Sequence, residues 1–192
     1  MESGWILPNA GFFVRSTKTA NKTRSPSRDI GGIPHFMQIT TGLLADHPTH
    51  LAIVAEWIFR QWAYKRPNSS LESVVDRLRS HLQRNALPLM VVAIDGVQCV
   101  GCASLRTSDL AGREDLSPWL ASVYVPVERR RQGIGAALVR AVEAKAAMMG
   151  VAELYLFTPD RQNFYSDLKW ENYATETIGT KTVSVMRKRL QT

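Results

Sequence analysis

From residue 37 onward, apolar positions recur with periods that predict alternating strands and helices. Residues 38–44 are short and rich in Thr and Ile, which predicts a first strand. Leu51, Val54, Ala55, Ile58, Phe59 and Trp62 then recur at three and four, a helical stripe. Pro48 suits the start of that helix and Asp46 its cap. Ser70 opens a second helix, with Ser73 three residues on and Leu71, Val74, Val75, Leu78 and Leu82 as its apolar positions. Residues 89–94 form an apolar strand. Asp95-Gly96 reads as the tight turn of a hairpin, because both residues tolerate positive φ, and residues 97–105 return as the partner strand. A polar loop over 107–118 leads to a buried strand over 119–125 and a basic, glycine-containing turn over 129–135. Ile134, Leu138, Ala141, Val142, Lys145 and Met149 mark a long helix that Gly150 ends. A strand over 151–158, a short helix over 160–168 and a Val/Thr-rich strand over 182–190 complete the chain. A further strand is expected near 172–178.

This order predicts an α/β (α+β) fold. Hairpins in the first half and a βαβ crossover in the second require a central mixed sheet of six to seven strands, flanked by about four helices. The first 36 residues differ from the rest. Ser16 to Ser27 hold three Thr, three Ser, one Asn, one Pro and no large apolar residue, and Gly31, Gly32 and Pro34 follow. The reading is a flexible extension over 1–36 and one domain over 37–192.

Composition narrows the class of protein without choosing a function. The net charge is +7, from 24 basic and 17 acidic residues, which suits a polyphosphate-bearing ligand as well as a nucleic acid. Two cysteines cannot supply a disulfide framework, and no run approaches the roughly 18 uncharged apolar residues that span a bilayer. The start of the chain lacks a basic region followed by an apolar run, so it reads poorly as a signal peptide. The expectation is a cytoplasmic protein without a membrane partner.

The chemistry concentrates at residues 119–135. A strand ends, a tight turn presents successive backbone N–H groups, and a helix begins. A helix N-terminus offers unpaired donors and about half a positive charge. Gly133 and Gly135 admit a ligand close to the backbone, and Arg129, Arg130 and Arg131 add positive potential. These features describe a pyrophosphate cradle. The G-K-[ST] of a Walker loop and the G-x-G-x-x-G of a dinucleotide site are both absent.

Arg130-Arg131-Gln132-Gly133-Ile134-Gly135 resembles the R/Q-x-x-G-x-G/A signature of the GNAT superfamily of acetyl-CoA-dependent N-acetyltransferases. Residues 154–158 resemble that family's fifth strand, and Phe164-Tyr165-Ser166-Asp167-Leu168-Lys169-Trp170 its F-Y-x-x-L-G-[FW] segment. The resemblance spans about residues 37–192. Two positions depart from it: Arg131 replaces a second glycine, and Lys169 replaces the glycine before the aromatic residue. The first change alters the turn or adds a phosphate contact. The second implies that the turn after the short helix leaves the left-handed conformation.

The resemblance implies an acetyl transfer from acetyl-CoA to a primary amine by direct attack in a ternary complex. It implies splayed fourth and fifth strands with the pantetheine arm between them, paired with backbone near Val123, Tyr124 and Val125. The N–H groups of Arg130, Arg131, Gln132, Gly133, Ile134 and Gly135 would bind the pyrophosphate. A backbone N–H near Val123 would polarise the thioester carbonyl, and Tyr165 would be the general acid. The general base stays open among Glu56, Ser122, Asp109, Glu114, Asp115 and a water chain. The acceptor pocket is expected from the first two helices and the 107–118 loop, with Trp57, Trp62 and Tyr64 nearby. The favoured acceptor is a small molecule such as an aminoglycoside or a polyamine-like amine; a peptide or protein amine is the alternative. The resemblance also allows a homodimer, through the last strand or a helix face.

A module that binds CoA without turnover, or a basic nucleic-acid-binding domain, is the rival class. Placed between a strand and a helix beside two glycines, the arginine run fits phosphate better than nucleic acid. Cys99 and Cys102 have C-x-x-C spacing, but in a strand residues three apart face opposite sides, and there is no second pair for zinc. They read as structural thiols. His47 and His50 lack an evident third ligand, so no metal site is expected.

Overall fold

The computed structural model describes residues 39–191, so the expected extension over 1–36 lies outside the described residues. The strands are β1 (Ile39–Leu43), β2 (Leu89–Asp95), β3 (Gln98–Arg106), β4 (Trp119–Tyr124), β5 (Glu153–Thr158), β6 (Glu171–Ile178) and β7 (Lys181–Arg189). The α-helices are α1 (Leu51–Gln61), α2 (Leu71–Arg79), α3 (Ile134–Met148) and α4 (Gln162–Asp167). All seven strands join one mixed sheet in the order β1-β2-β3-β4-β5-β7-β6, in which β4 and β5 are the parallel pair.

Both faces of the sheet are covered, which is why β2 reads as a continuous apolar run rather than an alternation. Leu89, Val91 and Ala93 turn toward α3 and α4, where Leu138, Val142, Leu168 and Trp170 meet them in one core. Met90, Val92 and Ile94 turn toward α1 and α2, against Val54, Ile58, Val74 and Leu78. A third cluster sets Leu110 and Leu116 of the 107–118 loop against Trp119, Phe157 and Val185. That loop, polar in sequence, is therefore pinned to the sheet by two leucines. Arg113 holds it further, donating to Glu176 of β6 at 2.7 Å.

Ser70 and Ser73 cap α2 reciprocally: each backbone N–H donates to the other's Oγ at 3.1 Å. Asp46 does not cap α1. Two 3-10 turns, Leu44–Asp46 and Pro48–His50, intervene, so the helix begins beyond its reach. Asp46 instead accepts from Arg84 at 2.8 Å. The hairpin turn also lies one residue later than expected. Asp95 pairs with Gln98, leaving Gly96 (φ +60°) and Val97 as the turn. Asp95 stays in the strand, and its carboxylate takes the Arg129 guanidinium.

The strand argument for Cys99 and Cys102 is overturned by a bulge. Ala93 pairs with Gly101 and Ile94 with Cys99, so Val100 is an extra residue that resets the alternation. Both cysteines consequently belong to the α1/α2 side. They are free thiols, and burial pushes Cys99 up to about 11 and Cys102 higher still, so both stay protonated. β7 is paired on both sides, with β5 and β6, so its backbone leaves no edge on which another copy can add; the sheet edges are β1 and β6. No helix among the described residues is long and apolar enough to cross a membrane.

Candidate active site

The cleft originates in how little β4 and β5 share. Their one register pair is Trp119 with Tyr155, supported by the Tyr155 N–H donating to the Pro118 carbonyl at 3.0 Å. Beyond it the strands part, leaving the β5-facing backbone of β4 without a ladder partner. Such an edge favours an extended ligand that carries amides.

β4 is also bulged. Ala121 pairs with Ser104 and Tyr124 with Cys102, so Ser122 and Val123 together oppose Ala103, and Ser122 takes φ +52°. The extra residue changes which face each later side chain reaches. Val123 and Val125 join the α3 side, and Tyr124 turns to the α1 side. There its ring lies 5.5 Å from Trp57 and 6.2 Å from Trp62.

The turn after β4 is built from its own backbone. A 3-10 turn, Val127–Arg129, places Arg129 against Asp95, which neutralises it. The Arg130 N–H donates to the Val127 carbonyl at 3.4 Å and its Nε to the Val125 carbonyl at 2.9 Å. Arg131 takes φ +64° and Gly133 φ +78° at the N-cap of α3. Arg131 thus adopts the conformation a glycine would adopt, at a cost of about 1–2 kcal/mol for an L-residue. The Arg131, Gln132 and Gly133 N–H groups have no backbone partner among the described residues. The first N–H groups of α3 join them, as at any helix start. A Cβ on Gly133 would meet nothing within 4 Å, so the space above it is open; one on Gly135 would come 3.4 Å from Phe164 of α4. Gly101, which the sequence reading passed over, sets the depth of α3. A Cβ there would lie 2.9 Å from the Tyr124 carbonyl and 3.0 Å from Leu138.

Tyr165 lies on α4, in the same core as Val123 and Val125. Its ring contacts Phe164 at 5.0 Å and Trp170 at 6.2 Å, and it is 6% exposed. Its hydroxyl has no hydrogen-bond partner among the described residues, and burial raises its proton affinity well above the ordinary phenol value. It is therefore a donor at any physiological pH and not a base. The turn after α4 corrects the sequence reading. Lys169 is left-handed, at φ +68°. The Trp170 N–H donates to the Tyr165 carbonyl at 3.0 Å and the Lys169 N–H to the Ser166 carbonyl at 2.9 Å, the two bonds of a Schellman ending. Those bonds impose the conformation whichever residue fills the position.

Residues 87–172 match the family model described as an acetyltransferase (GNAT) domain. Over that segment the chain is similar to a GNAT acetyltransferase domain. The solved structures similar to it include an aminoglycoside 6'-N-acetyltransferase complexed with coenzyme A, at TM-score 0.60 and 18% identity over 80% of this chain and 97% of that one. They also include yncA, a putative acetyltransferase from Salmonella typhimurium with acetyl-CoA, at TM-score 0.62 and 13% identity over 80% and 94%. The spermidine/spermine N-acetyltransferase SpeG from Vibrio cholerae, in mutant forms, matches at TM-score 0.59 and 16% identity over 79% and 95%. No curated protein matches the chain. These structural likenesses are likenesses of fold.

The turn after β4 fits a pyrophosphate such as that of CoA. It combines N–H groups without partners, open space over Gly133 and the guanidinium groups of Arg130 and Arg131. Most of the candidate bases already hold a partner of their own. Glu56 pairs with Arg60 at 2.6 Å, and Asp115 with Arg113 at 2.9 Å. Glu114 accepts from the Gly112 N–H at 2.9 Å, and Ser122 occupies the bulge. Asp109 is buried and accepts from Arg106 at 2.8 Å. Burial raises its proton affinity to about 7, against the opposing pull of Arg106 and Arg66. His81 is buried beside Arg106 and Arg77; burial and those guanidinium charges lower it to about 4, so it is neutral.

Of the three aromatic residues expected near the acceptor, Trp62 is core, Trp57 is half-buried against Tyr124, and Tyr64 is exposed, with Lys65 over its ring. His47 and His50 stack on each other at 6.2 Å. Among the described residues no group of three or more His, Cys, Asp or Glu side chains is arranged to hold a metal.

Proposed function

We propose that this chain transfers the acetyl group of acetyl-CoA to a primary amine of a small molecule, by direct attack within a ternary complex. The reading is supported by the conjunction of three features. The bulged edge of β4 has no partner on β5 beyond Trp119, the turn from Arg131 to Gly135 follows that strand, and Tyr165 packs in the same core cluster as Val123 and Val125.

Acetyl-CoA supplies the acyl group as a thioester. Backbone at Val123 to Val125 pairs with the amides of its pantetheine arm, and the N–H groups of the cradle hold the pyrophosphate. A backbone N–H near Val123 stabilises the negative charge that grows on the carbonyl oxygen as the amine nitrogen bonds to the carbonyl carbon; one such donor is worth about 2.7–4 kcal/mol. As the C–S bond breaks, Tyr165 gives its phenol proton to the sulfur. The same low-dielectric surroundings that raise Tyr165 also disfavour a bare thiolate, so the sulfur takes the proton as it departs. The ammonium form of the acceptor loses one proton to a base before it attacks, and the second proton, lost from nitrogen once the C–N bond has formed, restores the Tyr165 phenolate to the phenol.

The small-molecule reading draws on the aminoglycoside and spermidine acetyltransferases among similar folds. A thiol-release assay with acetyl-CoA and a panel of acceptors tests it. The panel holds an aminoglycoside, spermidine, a lysine-containing peptide and a peptide with a free N-terminus. Release that needs an aminoglycoside or spermidine is the expected outcome. Release with a peptide alone moves the reading to protein acetylation, and none with any amine removes the catalytic reading.

A further inference from the structure

A short helix such as α4 cannot hold a catalytic side chain by itself. It has six residues and no side-chain N-cap, so its geometry depends on what anchors its ends. Its C-terminal end is anchored by a partly buried carboxylate that the reaction scheme does not use. Glu143 of α3 accepts from the indole Nε1 of Trp170 at 2.8 Å through one oxygen and from Lys188 Nζ of β7 at 2.7 Å through the other. Lys188 also donates to the Leu168 carbonyl at 2.8 Å. The Glu143 and Lys188 side chains are 12% and 20% exposed, so the pair is partly buried.

Those contacts reach Tyr165 in one further step. Trp170 meets the Tyr165 ring edge-on, and its N–H donates to the Tyr165 carbonyl. Lys169 is held left-handed between them. The connection also crosses the cleft. α3 packs on β1 to β4, whereas α4, β6 and β7 belong with β5, and β4 and β5 share a single register pair. Glu143 is a charged link from the cradle's own helix to the half of the sheet that carries Tyr165.

We propose that Glu143, through Trp170 and Lys188, is a positioning residue that fixes α4 and so aims the Tyr165 hydroxyl at the reacting sulfur. The assignment rests on the acid role proposed for Tyr165. A structural role alone would cost stability; a positioning role must act through Tyr165.

The test measures kcat and the KM for acetyl-CoA in Glu143→Ala and Glu143→Gln, each in the wild-type and in the Tyr165→Phe background, with melting temperatures alongside. Glu143→Ala is expected to lower kcat about tenfold, with KM for acetyl-CoA within about twofold. In Tyr165→Phe the same change is expected to lower kcat by less than about twofold, because the group being aimed is gone. Lys188→Arg, which keeps the charge, is expected to retain kcat. If Glu143→Ala does not fold, Glu143→Gln carries the comparison, since it keeps an acceptor for Trp170 and loses only the charge facing Lys188. An unchanged kcat in the folded Glu143 variant, or an equal fall in both backgrounds, overturns the Glu143 assignment while leaving Tyr165 in place. A wild-type kcat in Tyr165→Phe alone removes the acid reading, and the positioning role with it.

Discussion

Replacing Tyr165 by Phe lowers kcat about 100-fold while acetyl-CoA affinity stays within about twofold, as expected for the loss of a general acid that contributes little to binding. The ring is enclosed by Phe164 and Trp170, and Phe keeps that fit. Only the hydroxyl disappears, and it has no partner among the described residues, so no buried group is left orphaned. Stability should therefore change by well under about 1 kcal/mol, in contrast to a truncation to Ala. The pH profile gives a second check. Burial raises the proton affinity of Tyr165, so it remains protonated throughout the neutral range and contributes no falling limb below pH 10. A limb on the acidic side reports the base and the acceptor amine instead. Steady-state kinetics with saturating acceptor decide the matter; unchanged kcat in the Phe variant would exclude the acid role.

Replacing Gly133 by Val weakens acetyl-CoA binding about tenfold or more, with a smaller effect on kcat at saturation. Gly133 has φ +78°, and a β-branched residue is a genuine outlier there. The strain, about 1–2 kcal/mol, is relieved by moving the turn, and the turn carries the N–H groups proposed to hold the pyrophosphate. Space is not the obstacle, because nothing lies within 4 Å of a Cβ at this position. Gly135 works differently: there a larger side chain would press on Phe164 and Val125. Calorimetric titration of acetyl-CoA into the folded Gly133→Val protein provides the measurement. Wild-type affinity would show that the turn does not hold the cofactor.

Much of this architecture is legible in the sequence, for local reasons. The stripe Val54, Ala55, Ile58 and the serine pair of α2 carry their own periodicity and capping chemistry. The cradle is written in consecutive residues, and so is the Phe164-Tyr165 segment. What the sequence hides is register and long-range pairing. The bulges at Val100 and Ser122 reverse which side chains face α3, and they decide that Cys99 joins Cys102 and that Tyr124 meets Trp57. No composition signal marks them, since both lie inside ordinary apolar runs. The pairing of Asp95 with Arg129, and that of Glu143 with Lys188, spans 34 and 45 residues and follows from the tertiary fold alone. Lys169 and Arg131 show the converse limit. Neither residue favours positive φ, yet both adopt it: at Lys169 the two hydrogen bonds that end α4 impose it, and Arg131 takes it in a turn whose N–H groups have no backbone partner among the described residues.

The central claim is that the turn from Arg131 to Gly135 and the open edge of β4 hold acetyl-CoA. The most direct measurement is the melting temperature of the full chain with acetyl-CoA and, separately, with ATP as a polyphosphate control. Acetyl-CoA at about 100 times its Kd should stabilise the protein by roughly 2.7 kcal/mol, a clear rise in melting temperature, and ATP should give little. An absent shift with acetyl-CoA, or an equal shift with ATP, would contradict the claim: the first would mean that the cradle is not a cofactor site, the second that it recognises phosphate charge alone.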